Sequence, residues 1–181
     1  HNTMGLAFLA AAERLAGGNE STPDKGIAKI ATLKAQSYPA ASATVEALMT
    51  SGDVWAIAWM NGRTWGLIDR GQPLRFVLPK EGGYAGMTTI DVVKGTTHLK
   101  EALAYINEVL DPLPQLGQAN QLPYGPTNKL LASVLAAYPK LAQKFPSSPE
   151  DIAKLNHIDW SIFNRLYPKA VSLWNREVAS K

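Results

Sequence analysis

The run VWAIAW, Val54–Trp59, constrains the chain most. It is a short apolar stretch bounded by Asp53 on one side and Asn61-Gly62 on the other. That pattern suits a strand buried on both faces, because a surface strand would alternate with polar residues. LRFVLP (74–79) and TTIDVVKG (88–95) read as further strands, and helical patterns lie between them. Helices alternating with short strands signal an α/β fold layered on a parallel sheet.

The helical segments carry their own start and stop signals. Thr3 is placed to cap a helix whose face is Leu6, Leu9, Ala10 and Leu15, ending at Gly17-Gly18. Ser21-Thr22 and Pro23 open a second helix on Ile27, Ile30 and Leu33, and SATVEALMTSGD is a third, ending at Gly52. TWGLIDRG reads as a short helix after an Asn-Gly turn. In THLKEALAYINEVLDP, Thr97 is the expected cap, and Leu99, Ala102, Leu103, Ile106 and Leu110 form a stripe expected to be buried. LPYGPTN (122–128) is an irregular loop, and the remaining chain is helical, with Pro168 expected to kink or divide the last helix.

Composition narrows the function classes. Of 181 residues, 46% are hydrophobic and 18% charged, so disorder is not the default. The net charge of +3 is scattered without a basic block, so no nucleic-acid partner is expected. The absence of cysteine excludes disulfides, zinc thiolate sites and thiol catalysis. No apolar run is long enough for a helical membrane span, and no signal peptide is visible. The opening HNTMGLAFLAAAERLAGG reads as a helix entered in mid-domain, as in a piece of a longer chain.

Catalytic and metal chemistry find little footing. His1, His98 and His157 lack metal-ligand spacing, and the pairs Glu150/Asp151 and Glu108/Asp111 suit solvated helix faces. Neither a cofactor nor a metal is expected. The tryptophans say more. Trp55 and Trp65 suit a core, whereas Trp59 ends its strand just before Asn61-Gly62. In open α/β sheets ligands bind beyond the carboxyl ends of strands, so Trp59 fits either a core or a ligand wall.

Read in order, LMTSGDVWAIAWMNGRTWGLIDRGQPLRFVLPKEGG, HLKEALAYINEVLDP and LPYGPTN resemble the polyamine-binding-protein-like group of periplasmic solute-binding proteins of ABC transporters. The resemblance covers nearly all of this chain but only the second half of such a protein. It implies a partial periplasmic-binding-protein-like II fold, with residues 1–83 as second lobe, 84–128 as a return to the first, and 129–181 as helices returning to the second. It also implies a periplasmic, non-enzymatic protein, monomeric when full length, that holds a small organic solute in an interlobe cleft and passes it to a membrane permease. The glycine-rich PKEGGYAGM and the loop near LPYGPTN would then join the lobes and absorb hinge rotation.

Carried over by position, Trp59 matches a tryptophan that stacks on the ligand, Asn61 the amide after it, and Tyr124 a cleft aromatic. Gly86, Met87 and Thr88 stand where a Trp-x-Asp is expected, and Thr3 and Leu6 where carboxylates would lie. A desolvated polyamine needs compensating acids, so an amino-acid-like or opine-like solute fits better than a polyamine. Asn61 and Thr88 then supply hydrogen bonds, Tyr124 a wall, and Thr3 an anion-facing helix start. The rival readings are an α/β enzyme domain using the same cleft, which needs a nucleophile or acid-base pair, and a helical interaction module, which the strand run opposes.

Overall fold

The computed structural model describes residues 3–180, and among these the regular structure is helical. The order is α1 (Thr3–Leu15), α2 (Pro23–Ala31), α3 (Ser42–Ser51), α4 (Asn61–Asp69), α5 (Leu99–Val109), α6 (Pro112–Gln121), α7 (Leu131–Ala136), α8 (Pro139–Ala142), α9 (Pro149–Ala153) and α10 (Trp160–Glu177). The α/β expectation is therefore corrected. Among the described residues no sheet forms, and the strand pairing is a single parallel bridge between Tyr84 and Asn156.

Two of the three expected strands show why. Residues 72–79 keep the two-residue period of a strand, with Leu74, Phe76 and Leu78 half-buried and Arg75 and Val77 exposed. The burial pattern is strand-like, but among the described residues no neighbouring segment completes a ladder, and pairing is what makes an extended chain a strand. Residues 54–60 are likewise outside regular structure. Trp55, expected in a core, is 99% exposed, because nothing beside its segment covers it.

The chain divides into two compact units. Unit 1 takes the residues up to Ala58, Gly82–Ala85, and those from Asn156 onward. Its core is Leu9, Ala10, Ala12, Ile27, Ile30, Ile158, Phe163, Ala170 and Val178, contributed mainly by α1, α2 and α10. Ile27 and Ile30 are essentially inaccessible, each worth about 2 kcal/mol of apolar transfer. Tyr38 sets its ring edge-on to Trp174 at 4.9 Å.

Pro23 opens α2 as expected, but Thr22 does not cap it. Its hydroxyl instead donates to Asn19 O at 2.8 Å and accepts from Asn19 N at 2.9 Å. Pro168 does not divide α10. Both Pro168 and Asn164, whose carbonyl loses its usual partner, are exposed, so water can take up the lost bond.

Unit 2 takes Trp59–Glu81 and Gly86–Leu155, with α4 to α9. Its core is Ala119, Leu131, Leu135, Leu141 and Phe145. The stripe on α5 is not buried as expected. No residue of that helix is buried, and Leu99, Leu103 and Leu110 are about half exposed. His98, not Thr97, holds the cap position.

Candidate functional site

The Asn61-Gly62 pair is the first turn of α4, not the tight turn the dipeptide suggests. The Asn61 Nδ2 donates to Pro123 O at 3.0 Å and to Lys144 O at 2.9 Å. The amide thus ties the start of α4 to the loop carrying Tyr124. Gly62 is needed at that junction, since a methyl group there would meet Tyr124 Cε1 at 2.7 Å. A Cβ at Gly62 would also lie within 3.0 Å of Tyr124 Cδ1 and Cζ, so the ring edge and the helix start touch without room for a side chain.

Trp59, two residues before Asn61, is half-buried, and its indole N–H is buried without a hydrogen-bond partner. The same holds for Trp65 on α4. Lys144 Nζ lies 5.8 Å from the Trp65 ring centroid and 2.6 Å from Asp69 Oδ2, so a paired cation also faces that indole. A buried indole donor without an acceptor costs about 1–3 kcal/mol, which marks these two N–H groups as receptive to an acceptor.

The loop around Tyr124 is held more firmly than an irregular segment needs to be. Buried Gln115 on α6 accepts from Thr127 N and Asn128 N, both at 2.9 Å, and donates to Thr127 Oγ1 at 3.1 Å and Leu110 O at 3.4 Å. Asn128 adds a bond to Leu110 O at 2.8 Å. All of these partners lie within unit 2, so the loop is a pinned element of that unit. Sequence reading passed over Gln115. The available signal was a polar side chain on the inward face of PLPQLGQANQ, next to Ala119 one turn on.

Asn61, Gly62, Pro123, Tyr124 and Lys144 are thus brought together in one cluster, with Trp59 adjoining along the chain. Thr88 belongs to unit 2 and is exposed, in a stretch outside regular structure. Thr3 belongs to unit 1 and is the first residue of α1 rather than the residue before it. The α1 first turn carries no acidic side chain. His1 lies outside the described residues.

Two open cavities accompany these features. One of about 340 Å³ in unit 1 is lined by Lys34–Ser37 and Asp53–Ile57; one of about 200 Å³ in unit 2 includes Thr127, Leu135, Phe145 and Ile152. Neither is lined by Trp59, Asn61 or Tyr124.

Comparison with known proteins gives three findings. Residues 2–144 match the family described as bacterial extracellular solute-binding protein. The chain also superposes on the crystal structure of an extracellular solute-binding protein from Bordetella parapertussis, with a TM-score of 0.75 and 21% identity. That match covers 98% of this chain and 53% of the other, so this chain spans about half of that protein's length. No curated protein matches the sequence.

Proposed function

Since the chain belongs to the bacterial extracellular solute-binding protein family, we propose that it takes part in capturing a small organic solute outside the cytoplasm for an ABC importer. The observation that carries the reading is the half-buried Trp59, whose ring and unpartnered indole N–H adjoin the Asn61–Tyr124 cluster. In this proposal Trp59 stacks on the solute and offers its N–H to an acceptor. Tyr124 forms a second wall. Asn61, with both amide donors on carbonyls, positions that wall.

The solute is an amino-acid-like or opine-like compound bearing an acidic group. Support comes from the donor character of the cluster, where the indole N–H of Trp59 is buried without a partner. The Thr88 hydroxyl supplies a further hydrogen bond. Delivery to the permease completes the role, and no chemical step on the solute is required.

Thermal-shift measurements against spermidine, amino acids, opines and aminophosphonates test the proposal. An acid-bearing class should raise the melting temperature without being consumed, and Trp59→Ala should abolish the shift. Stabilisation by spermidine alone would overturn the ligand class. A shift that survives Trp59→Ala unchanged would overturn the stacking role, and consumption of a compound would point to an enzyme instead.

A further inference from the structure

Glu13 sits in the inward stripe of α1 with 0% of its surface exposed. Neither of its carboxyl oxygens has a hydrogen-bond partner. It is pressed against α2 at Gly26, where a methyl group would meet Glu13 Cγ at 2.6 Å and Leu9 Cδ1 at 2.8 Å. Gly26 is therefore what allows the two helices to close over a carboxyl group. Burying a charge this way is costly unless it is paired.

The surrounding charges do not pair it. Glu20, 8% exposed in the turn after α1, and Asp24 on α2 both act on Glu13 as like charges. The nearby cations are engaged elsewhere. Arg14 reaches Glu20 at 3.5 Å and Asn156 Oδ1 at 3.1 Å, and lies 5.9 Å from the Tyr84 ring centroid. Lys169 of α10 pairs with Asp24 at 3.5 Å, and Lys25 of α2 donates to Gly17 O at 3.3 Å. The Tyr84 hydroxyl is a second buried group without a partner, and its acidity is suppressed chiefly by that burial.

Tyr84 and Asn156 have a structural role of their own. Asn156 N donates to Gly83 O at 2.7 Å and Ala85 N to Asn156 O at 2.9 Å, closing the bridge where the chain twice re-enters unit 1. Arg14, the residue after Glu13, ties α1 to this bridge through Asn156 Oδ1.

We infer that Glu13 is a proton-binding site: it is held neutral in the packed α1–α2 pair, and loss of its proton loosens that pair and the Tyr84–Asn156 bridge. An ionised carboxylate at this position has to be reached by water or by Arg14. Water entry parts α1 from α2, and recruitment of Arg14 draws it from Asn156. Burial first, then Glu20 and Asp24, raise the Glu13 carboxyl from 4.5 to about 7, which places the transition close to neutral pH. Because the folded value lies above the ordinary one, the stabilising contribution is complete below 4.5 and is lost as pH rises through about 7.

The test combines NMR titration of the Glu13 carboxyl carbon, urea unfolding against pH, and amide-exchange protection factors of Ala85 and Asn156. The expected result is a Glu13 midpoint near 7 and a fall in the folding equilibrium constant on the order of a hundredfold between pH 4.5 and 7. Both amides should lose protection across that range, and Glu13→Gln should flatten all pH responses. A midpoint near 4.5, a wild-type slope retained in Glu13→Gln, or amide protection constant through the Glu13 titration would each overturn the inference. If Glu13→Gln fails to fold, the wild-type titration and protection factors decide it alone.

Discussion

Helix α1 carries a carboxyl group in its inward stripe and is covered, whereas α5 carries an uninterrupted apolar stripe and stands open. In α1, Leu9, Ala10 and Glu13 are at most 6% exposed. In α5, Leu99 and Leu103 are 52% and 53% exposed. The difference lies opposite the helix rather than within it. α2 and α10 share a core with α1, while α5 is joined to its unit at its C-terminal end, where Gln115 and Asn128 both hold Leu110 O. Periodicity makes a helix amphipathic, but only a complementary surface buries it.

The comparison is broken most directly by truncating one residue on each side. Ile30→Ala, at 0% exposure in the core shared with α1, should cost about 2–5 kcal/mol in urea unfolding. Leu103→Ala on α5 should cost less than about 1 kcal/mol, since its stripe gives up little buried area. Equal losses would mean that α5 is packed as tightly as α1 in solution.

The same contrast explains what the sequence disclosed. The helices α1 to α3 were legible because their breakers and 3.6-residue periods are local signals, and the family was legible because its motifs are linear. The segments 54–59, 74–79 and 88–95 were misread as parts of a sheet, because a strand is completed by a distant partner that no local pattern encodes. Trp55 and the α5 stripe were placed in a core for the same reason. Within the candidate site, Trp59, Asn61 and Tyr124 were legible as residues. The double amide link of Asn61 and the close fit of Gly62 under Tyr124 were not, since both depend on contacts across more than 60 positions of chain.

A smaller effect sharpens the α5 side. Gln115→Ala should cost about 1–3 kcal/mol, because it strips partners from Thr127 N and Asn128 N and one of the two donors from Leu110 O. Its signature is local: amide exchange at Thr127 and Asn128 should accelerate while the amides of α1 keep their protection. If the loss were spread evenly over both helices, α5 would not depend on the polar grip at its end.

The smallest effect sharpens the α1 side through α10, which shares its core. Asp159 caps α10, accepting from Ser161 N at 2.9 Å and Ile162 N at 3.2 Å, and from the Ser161 hydroxyl at 2.6 Å. These bonds, led by the Ser161 hydroxyl, hold its carboxyl below the ordinary 3.8. The sign is therefore opposite to that of Glu13. The Asp159 contribution is present above 3.8 and disappears as pH falls through the lowered value. Asp159→Asn keeps a capping oxygen but removes the charge, so it should weaken the acid-side fall in stability while leaving the neutral-side fall assigned to Glu13 intact. Unfolding curves at pH 3, 5 and 7 separate the two carboxyls, since a variant that altered both limbs would show that the cap and the buried acid titrate as one system.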